Sequence, residues 1–232
     1  MENMTELQIA LQEKQNTGTS WSRNKKFDEK GFLFLENLWD PTELYHPLPK
    51  ETGQINYFGS LEKFNHIPEE CQVVGSLARY THPQYKHIHN GIRLKVEKII
   101  GRKLHNTYYY DRFYKSSMSL ANHLDRDACE VSVTVHISTD LKTPWPIWIK
   151  GRDTYLDDKK EVITKVGENQ SVVMNSGDGL LYYGCERPHW REPMPYDKGL
   201  FGNNVEKYFH QIFFHYCLAD GIRSHCAFDA SR

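Results

Sequence analysis

The stretch from Asn106 to Ile137, NTYYYDRFYKSSMSLANHLDRDACEVSVTVHI, decides how this chain is read. In its second half Val131, Val133, Val135 and Ile137 alternate with Ser132, Thr134 and His136, the period-2 pattern of a strand with one face packed. In its first half Tyr108, Tyr110, Arg112 and Tyr114 share one face of another strand. Between the two stand His123 and Asp125. Side chains at i and i+2 of an extended segment point the same way, so this imidazole and this carboxylate can grip one small cation. His-x-Asp alone is a weak signal, because twelve His and thirteen Asp in 232 residues yield about 0.7 such pairs by chance. Its place just ahead of a buried strand raises it. A third ligand has to come from a distant strand, and His189 in GDGLLYYGCERPHWREP is the best candidate. Two His and one carboxylate on one side of a metal leave coordination positions open for small molecules.

Working outward, strands are expected over 106–114, 130–137, 145–149, 161–166, 171–174, 180–183 and 207–216, with turn signals between them. Ahead of them, Gly31 to Asn37 reads as a first buried strand, and Asp40-Pro41 opens a helical turn. Residues 48–64 carry no clean period and are expected as loop and short helix. In HPQYKHIHNGIRLKVEKII, from His82, apolar Ile88, Ile92, Val96 and Ile99 keep helical spacing, and Gly101 stands where a helix C′ glycine would. Thr5 to Gln15 can form a short amphipathic helix, so residues 1–30 are expected as a lead-in and 31–232 as one domain. Helices first and strands later fit a mainly β fold with supporting helices, a jelly roll or barrel holding the ligands in its mouth. The loop PMPYDKGLFGNN, Pro193 to Asn204, is rich in Pro, Gly and Asn and is expected as a mobile lid.

Composition narrows the function classes. A net charge of −1 and a pI near 6.9 give no general attraction to phosphate backbones or acidic lipids, so neither nucleic acid nor membrane is an expected partner. Five cysteines lie far apart with no C-x-x-C pair, which fits a reduced, cytoplasmic protein. No apolar run approaches the length of a membrane span.

His123, Asp125 and His189, with Gly177-Asp178 leading into a strand before the last, stand in the order of the Fe(II)- and 2-oxoglutarate-dependent oxygenases. The blocks NTYYYDRFY, HLDRDACEVSVTV, WPIWI, GDGLLYYGCE, HWREP and QIFFHY resemble more narrowly a microbial and phage branch of that family related to prolyl 4-hydroxylases. The likeness covers residues 30–220. It implies a double-stranded β-helix core, Fe(II), O2 and 2-oxoglutarate as cofactors, and compatibility with ascorbate as an auxiliary reductant. It also implies hydroxylation of an unactivated C–H, with a prolyl residue of a peptide or protein as the leading substrate and a small molecule as the other. No acid–base residues are expected beyond the metal ligands.

The resemblance further implies a cation and a hydroxyl for the distal carboxylate of 2-oxoglutarate, and three basic residues compete for the first role. Lys207 opens the last strand, where an anchor would be rigid; Lys198 lies inside the lid; Arg191 belongs to HWREP itself. Lys207 is preferred. Tyr114, nine residues before His123, is the expected hydroxyl, although a tyrosine run in a strand more often serves packing. His136, His210, His215 and His225 are expected as core or surface histidines, with His210 the spare ligand. Cys129 and Cys185 are read as small hydrophobes, and Trp145 and Trp148 either line a substrate channel or pack. Two other readings stand beside the oxygenase: a metal-dependent hydrolase or cupin-like enzyme on the same triad, and a jelly roll that binds without catalysis.

Overall fold

The structure is a computed structural model that describes residues 22–41, 72–81, 85–156, 159 and 162–229. The helix expected over 5–15, most of the turn after Asp40 and the segment 48–64 lie outside the described residues. A six-stranded sheet has the order β1 (Phe32–Leu35), β8 (Gly179–Tyr182), β5 (Val131–Thr139), β12 (Tyr208–Leu218), β3 (Leu104–Lys115) and β2 (Leu77–Tyr80). A four-stranded sheet has the order β4 (Leu120–His123), β9 (His189–Arg191), β6 (Ile147–Leu156) and β7 (Val162–Val172). Every pairing is antiparallel. The two sheets face each other: Ile147 and Ile149 of the smaller pack on Leu180 and Tyr182 of the larger.

Alternation in β5 and β12 sorts side chains between two buried layers. Val131, Val133, Val135 and Ile137, with Ile212, Phe214 and Tyr216, face the outside of the large sheet, where helix α2 (Lys86–Ile100) covers them with Ile88, Ile92, Val96 and Ile100. Ser132, Thr134 and His136 alternate with those valines and point into the barrel. One face was expected to pack, but both are buried, because helix and second sheet cover the strand from opposite sides. Gly101 ends α2 at φ 66°, the left-handed conformation that a C′ glycine takes without strain.

One expectation about the strands changes. The separate strands expected over 161–166 and 171–174 are replaced by one long strand, β7 (Val162–Val172), which pairs along β6. The Gly and polar residues between the two ranges form a bulge, where Gly167 lies so close to Gly151 O and Arg152 that a Cβ would crowd them. At the N-terminal side, helix α1 (Lys25–Lys30) is capped by Asn24, whose side chain accepts from Phe27 N. Its Phe27 is fully buried and stacks on Tyr183 at 4.2 Å.

Outside the barrel, Asp111 of β3 is wholly buried among Arg79, Tyr85 and His210. Burial alone would raise its pKa, but the Arg79 charge and hydrogen bonds from Arg79 and His210 hold the carboxyl well below the usual range. A depressed folded pKa contributes stability above the unfolded value near 3.9, and that contribution is lost as pH falls below it. Asp111→Asn should therefore cost about 3–5 kcal/mol at neutral pH, and the gap to wild type should narrow at pH 3. Urea unfolding at the two pH values measures both.

Candidate metal centre

β4 ends at His123 and β9 begins at His189, and the register places the two directly opposite. Their ring centroids are 4.2 Å apart. Asp125 follows two residues later, with its N–H bound to Gly184 O at 2.9 Å. Its Oδ1 is 3.4 Å from His123 Nε2 and 3.6 Å from His189 Nε2. The three ligand atoms thus converge on one point. Each imidazole is oriented from behind: Nδ1–H of His123 donates to Ala121 O and Nδ1–H of His189 to Arg187 O, both at 2.9 Å. That tautomer turns both Nε2 lone pairs toward Asp125, as a metal requires. Gly184 keeps the space behind the carboxylate, because a Cβ there would collide with Asp125 Oδ2 and Cys129 O.

Protonation follows the same geometry. Burial would raise the Asp125 pKa, yet the facing His189 and the hydrogen bond that His123 gives when its Nε2 is also protonated hold it well below the usual range. His189 is pushed down by burial against the pull of Asp125 and stays neutral. Burial also opposes a charge on His123, but its bond to Asp125 wins and raises it. The proton gained there is one that a bound cation would displace. Two imidazoles and one carboxylate, with open space at 22% exposure of His123, fit a divalent metal with free coordination positions.

Deeper in the barrel lies a polar pocket. Arg191 is two residues past His189 on the same face of β9, about 7 Å along the strand. It is 1% exposed, and among the described residues no carboxylate lies within ion-pair distance of it. Its Nη1 donates to Trp145 O at 2.7 Å and its Nη2 to Gln211 Oε1 at 2.6 Å, while the guanidinium lies 4.4 Å from the Trp145 ring and 4.6 Å from Phe209. Burial lowers its pKa to about 10, so it is charged at neutral pH. Among the described residues the donors Arg191 Nε, Tyr114 OH and Gln211 Nε2 are buried without a hydrogen-bond partner, and the nearby His136, which gives its Nδ1–H to Met174 O, presents an acceptor at Nε2. Buried donors left open around a cation fit a small anion such as a carboxylate.

The other predicted residues fall elsewhere. Lys207, the preferred anchor, points away from the pocket to Asp140 and Asp197, at 3.4 and 3.7 Å, because the strand start where it sits lies at the barrel rim. Lys198 is exposed and bonds Asn204 Oδ1. His210 faces the helix side with Asp111. Trp145 lines the anion pocket, whereas Trp148 lies on the outer face of the small sheet, stacked on Trp190 at 6.0 Å. The expected lid is a hairpin of β10 (Asp197–Lys198) and β11 (Asn204–Val205). β9 carries the chain from His189 past Arg191 to Met194, which pairs with Met118, so this hairpin stands at the end of the barrel away from the triad. Sequence reading missed Gln211, Phe209, Gly184 and Ser132. The inward alternation along β5 and β12 was the signal for the first, second and last of these.

No family model matches the sequence, and no curated protein matches it. Solved structures do. A Pseudomonas putida prolyl-4-hydroxylase is similar at a TM-score of 0.52 and 13% identity, over 90% of this chain and 98% of that one. This chain has the double-stranded β-helix fold. The α-ketoglutarate-dependent carbocyclase SnoK from nogalamycin biosynthesis shares it at a TM-score of 0.52 and 12% identity, over 84% of this chain and 85% of that one. So does HygX from Streptomyces hygroscopicus, solved with nickel, 2-oxoglutarate and hygromycin B, at 0.50 and 13%, over 82% and 84%. In the double-stranded β-helix of this chain, His123 and His189 occupy the ends of adjacent strands of the small sheet, Asp125 lies two residues beyond the first, and Arg191 points between the sheets. Among the described residues no helix is long and apolar enough to cross a membrane.

Proposed function

We propose that this protein is an Fe(II)- and 2-oxoglutarate-dependent dioxygenase that hydroxylates an unactivated C–H bond. One observation carries the reading: a buried Arg191, with no carboxylate partner among the described residues, stands about one dicarboxylate length from a His-Asp-His triad. His123, Asp125 and His189 are the iron ligands. Arg191 anchors the distal carboxylate of 2-oxoglutarate, with Tyr114 OH and Gln211 Nε2 as further donors. Bound iron, with O2 and 2-oxoglutarate, supplies the oxidising power, and the cosubstrate leaves as succinate and CO2. The chain's own residues hold and orient. Backbone carbonyls of Ala121 and Arg187 fix the imidazoles, Trp145 and Phe209 keep water from the guanidinium, and Asp125 supplies the charge the metal needs.

A hydrolase on the same triad would have no use for a buried cation two residues past its distal His. A prolyl residue of a peptide or protein is the leading substrate, supported by the sequence blocks and by the prolyl-4-hydroxylase among the similar structures. A small molecule is the alternative, since the carbocyclase SnoK and HygX share the fold. Supplied with Fe(II), 2-oxoglutarate, ascorbate and O2, the protein should form succinate slowly by itself and faster with its substrate. A proline-rich peptide that speeds succinate formation and gains one oxygen supports the prolyl reading. Succinate formation that no such peptide accelerates directs the search to small molecules, and no succinate under any condition removes the dioxygenase.

A further inference from the structure

A second cluster of ligand-type side chains, Asp125, Cys129 and His215, adjoins the triad. It is not arranged as a second metal site, because its members already bond one another through Ser132 and the thiol is taken by Tyr108 OH at 3.2 Å. Ser132 Oγ lies 3.0 Å from Asp125 Oδ2, 3.1 Å from Cys129 O and 2.9 Å from His215 Nδ1. A hydroxyl has one proton to give. Both oxygens can only accept, so if Ser132 gave that proton to the imidazole its lone pairs would face an anionic oxygen. The consistent arrangement runs His215 Nδ1–H to Ser132 Oγ, then Ser132 Oγ–H to Asp125 Oδ2. From the helix layer, His89 Nε2–H bonds His215 O at 3.0 Å and fixes that end of β12. Ser132, Cys129, His215 and His89 are buried, and the Asp125 side chain is 12% exposed.

From this geometry we infer that Ser132 and His215 are positioning residues that hold Asp125 as a one-oxygen metal ligand. Oδ2 is occupied by Ser132, which leaves Oδ1, the atom facing both histidines, to bind the cation. One coordination position is thereby kept for an exchangeable ligand that a two-oxygen carboxylate would occupy. The inference rests on the metal reading of the triad, and one experiment separates their failures.

The full-length protein is titrated with Co(II) and followed by visible absorption. Ser132→Ala should weaken Co(II) binding about 10- to 100-fold, the usual effect of removing a partner behind a ligand. It should also weaken the absorption bands, because a released carboxylate binds through both oxygens and raises the coordination number. His215→Asn, whose amide replaces the Nδ1–H donor, should stay closer to wild type than His215→Gln, which does not. Far-UV circular dichroism checks that each variant folds. Unchanged affinity and bands in Ser132→Ala overturn the positioning role, as does weaker binding with unchanged bands, which makes Ser132 merely structural. A wild-type protein that binds no Co(II) overturns the metal reading itself.

Discussion

Asp125→Ala should abolish iron binding and succinate formation together while the fold survives. The carboxylate is the only anion among the three ligands, and two neutral imidazoles hold a divalent cation weakly. The loss should exceed the roughly 100-fold that removal of an outer hydrogen-bond partner costs. Stability should not suffer in proportion, since without metal the partly exposed carboxylate is held only by His123, His189 and the Ser132 hydroxyl, none of which packs only for its sake. His189→Ala should behave alike. His210→Ala serves as the contrast: it should keep iron and lose stability, because its partner Asp111 lies behind the sheet. Iron retained in His189→Ala and lost in His210→Ala would move the distal ligand to β12.

Arg191→Ala should raise the 2-oxoglutarate requirement about a hundredfold and leave iron affinity nearly unchanged. Breaking a buried charge-assisted pair costs on the order of 3 kcal/mol, since the carboxylate left behind is desolvated without a counterion. Arg191→Lys should fall between, keeping the charge but losing the fork that also bonds Trp145 O and Gln211. Lys207→Ala should change little, because that ammonium is engaged by Asp140 and Asp197 at the rim. A large effect in Lys207→Ala and none in Arg191→Ala would return the anchor to the strand start. Thermal unfolding of each variant separates a lost contact from a lost fold.

The triad was legible because a strand's two-residue repeat is a local rule, and His123 and Asp125 needed only that rule to share a face. His189 needed more. Its register opposite His123 is a long-range pairing that no local pattern encodes, so it emerged only from the order of motifs. The proposed anchor, Arg191, was ranked below Lys207 for a related reason. Rigidity of a strand start is a sound criterion, but Arg191 is also on a strand, and the facing of its side chain depends on where β9 enters the small sheet. The long hairpin of β6 and β7 was hidden by Gly151 and Gly167, which read locally as turns and are spent on a bulge. The position of the Pro193–Asn204 hairpin was illegible too. Loop composition carries no information about which end of a barrel a loop occupies, and the direction of β9 from His189 to Arg191 decides it.

The most direct test is an anaerobic titration of the full-length protein with Fe(II) and 2-oxoglutarate, read by visible absorption. Chelation of iron by the 2-oxo acid should produce a charge-transfer band only when both are present. The band should be absent in Asp125→Ala and should require far more 2-oxoglutarate in Arg191→Ala. Iron that binds to the wild-type protein without any band at saturating 2-oxoglutarate would contradict a dioxygenase and leave the triad to hydrolytic chemistry.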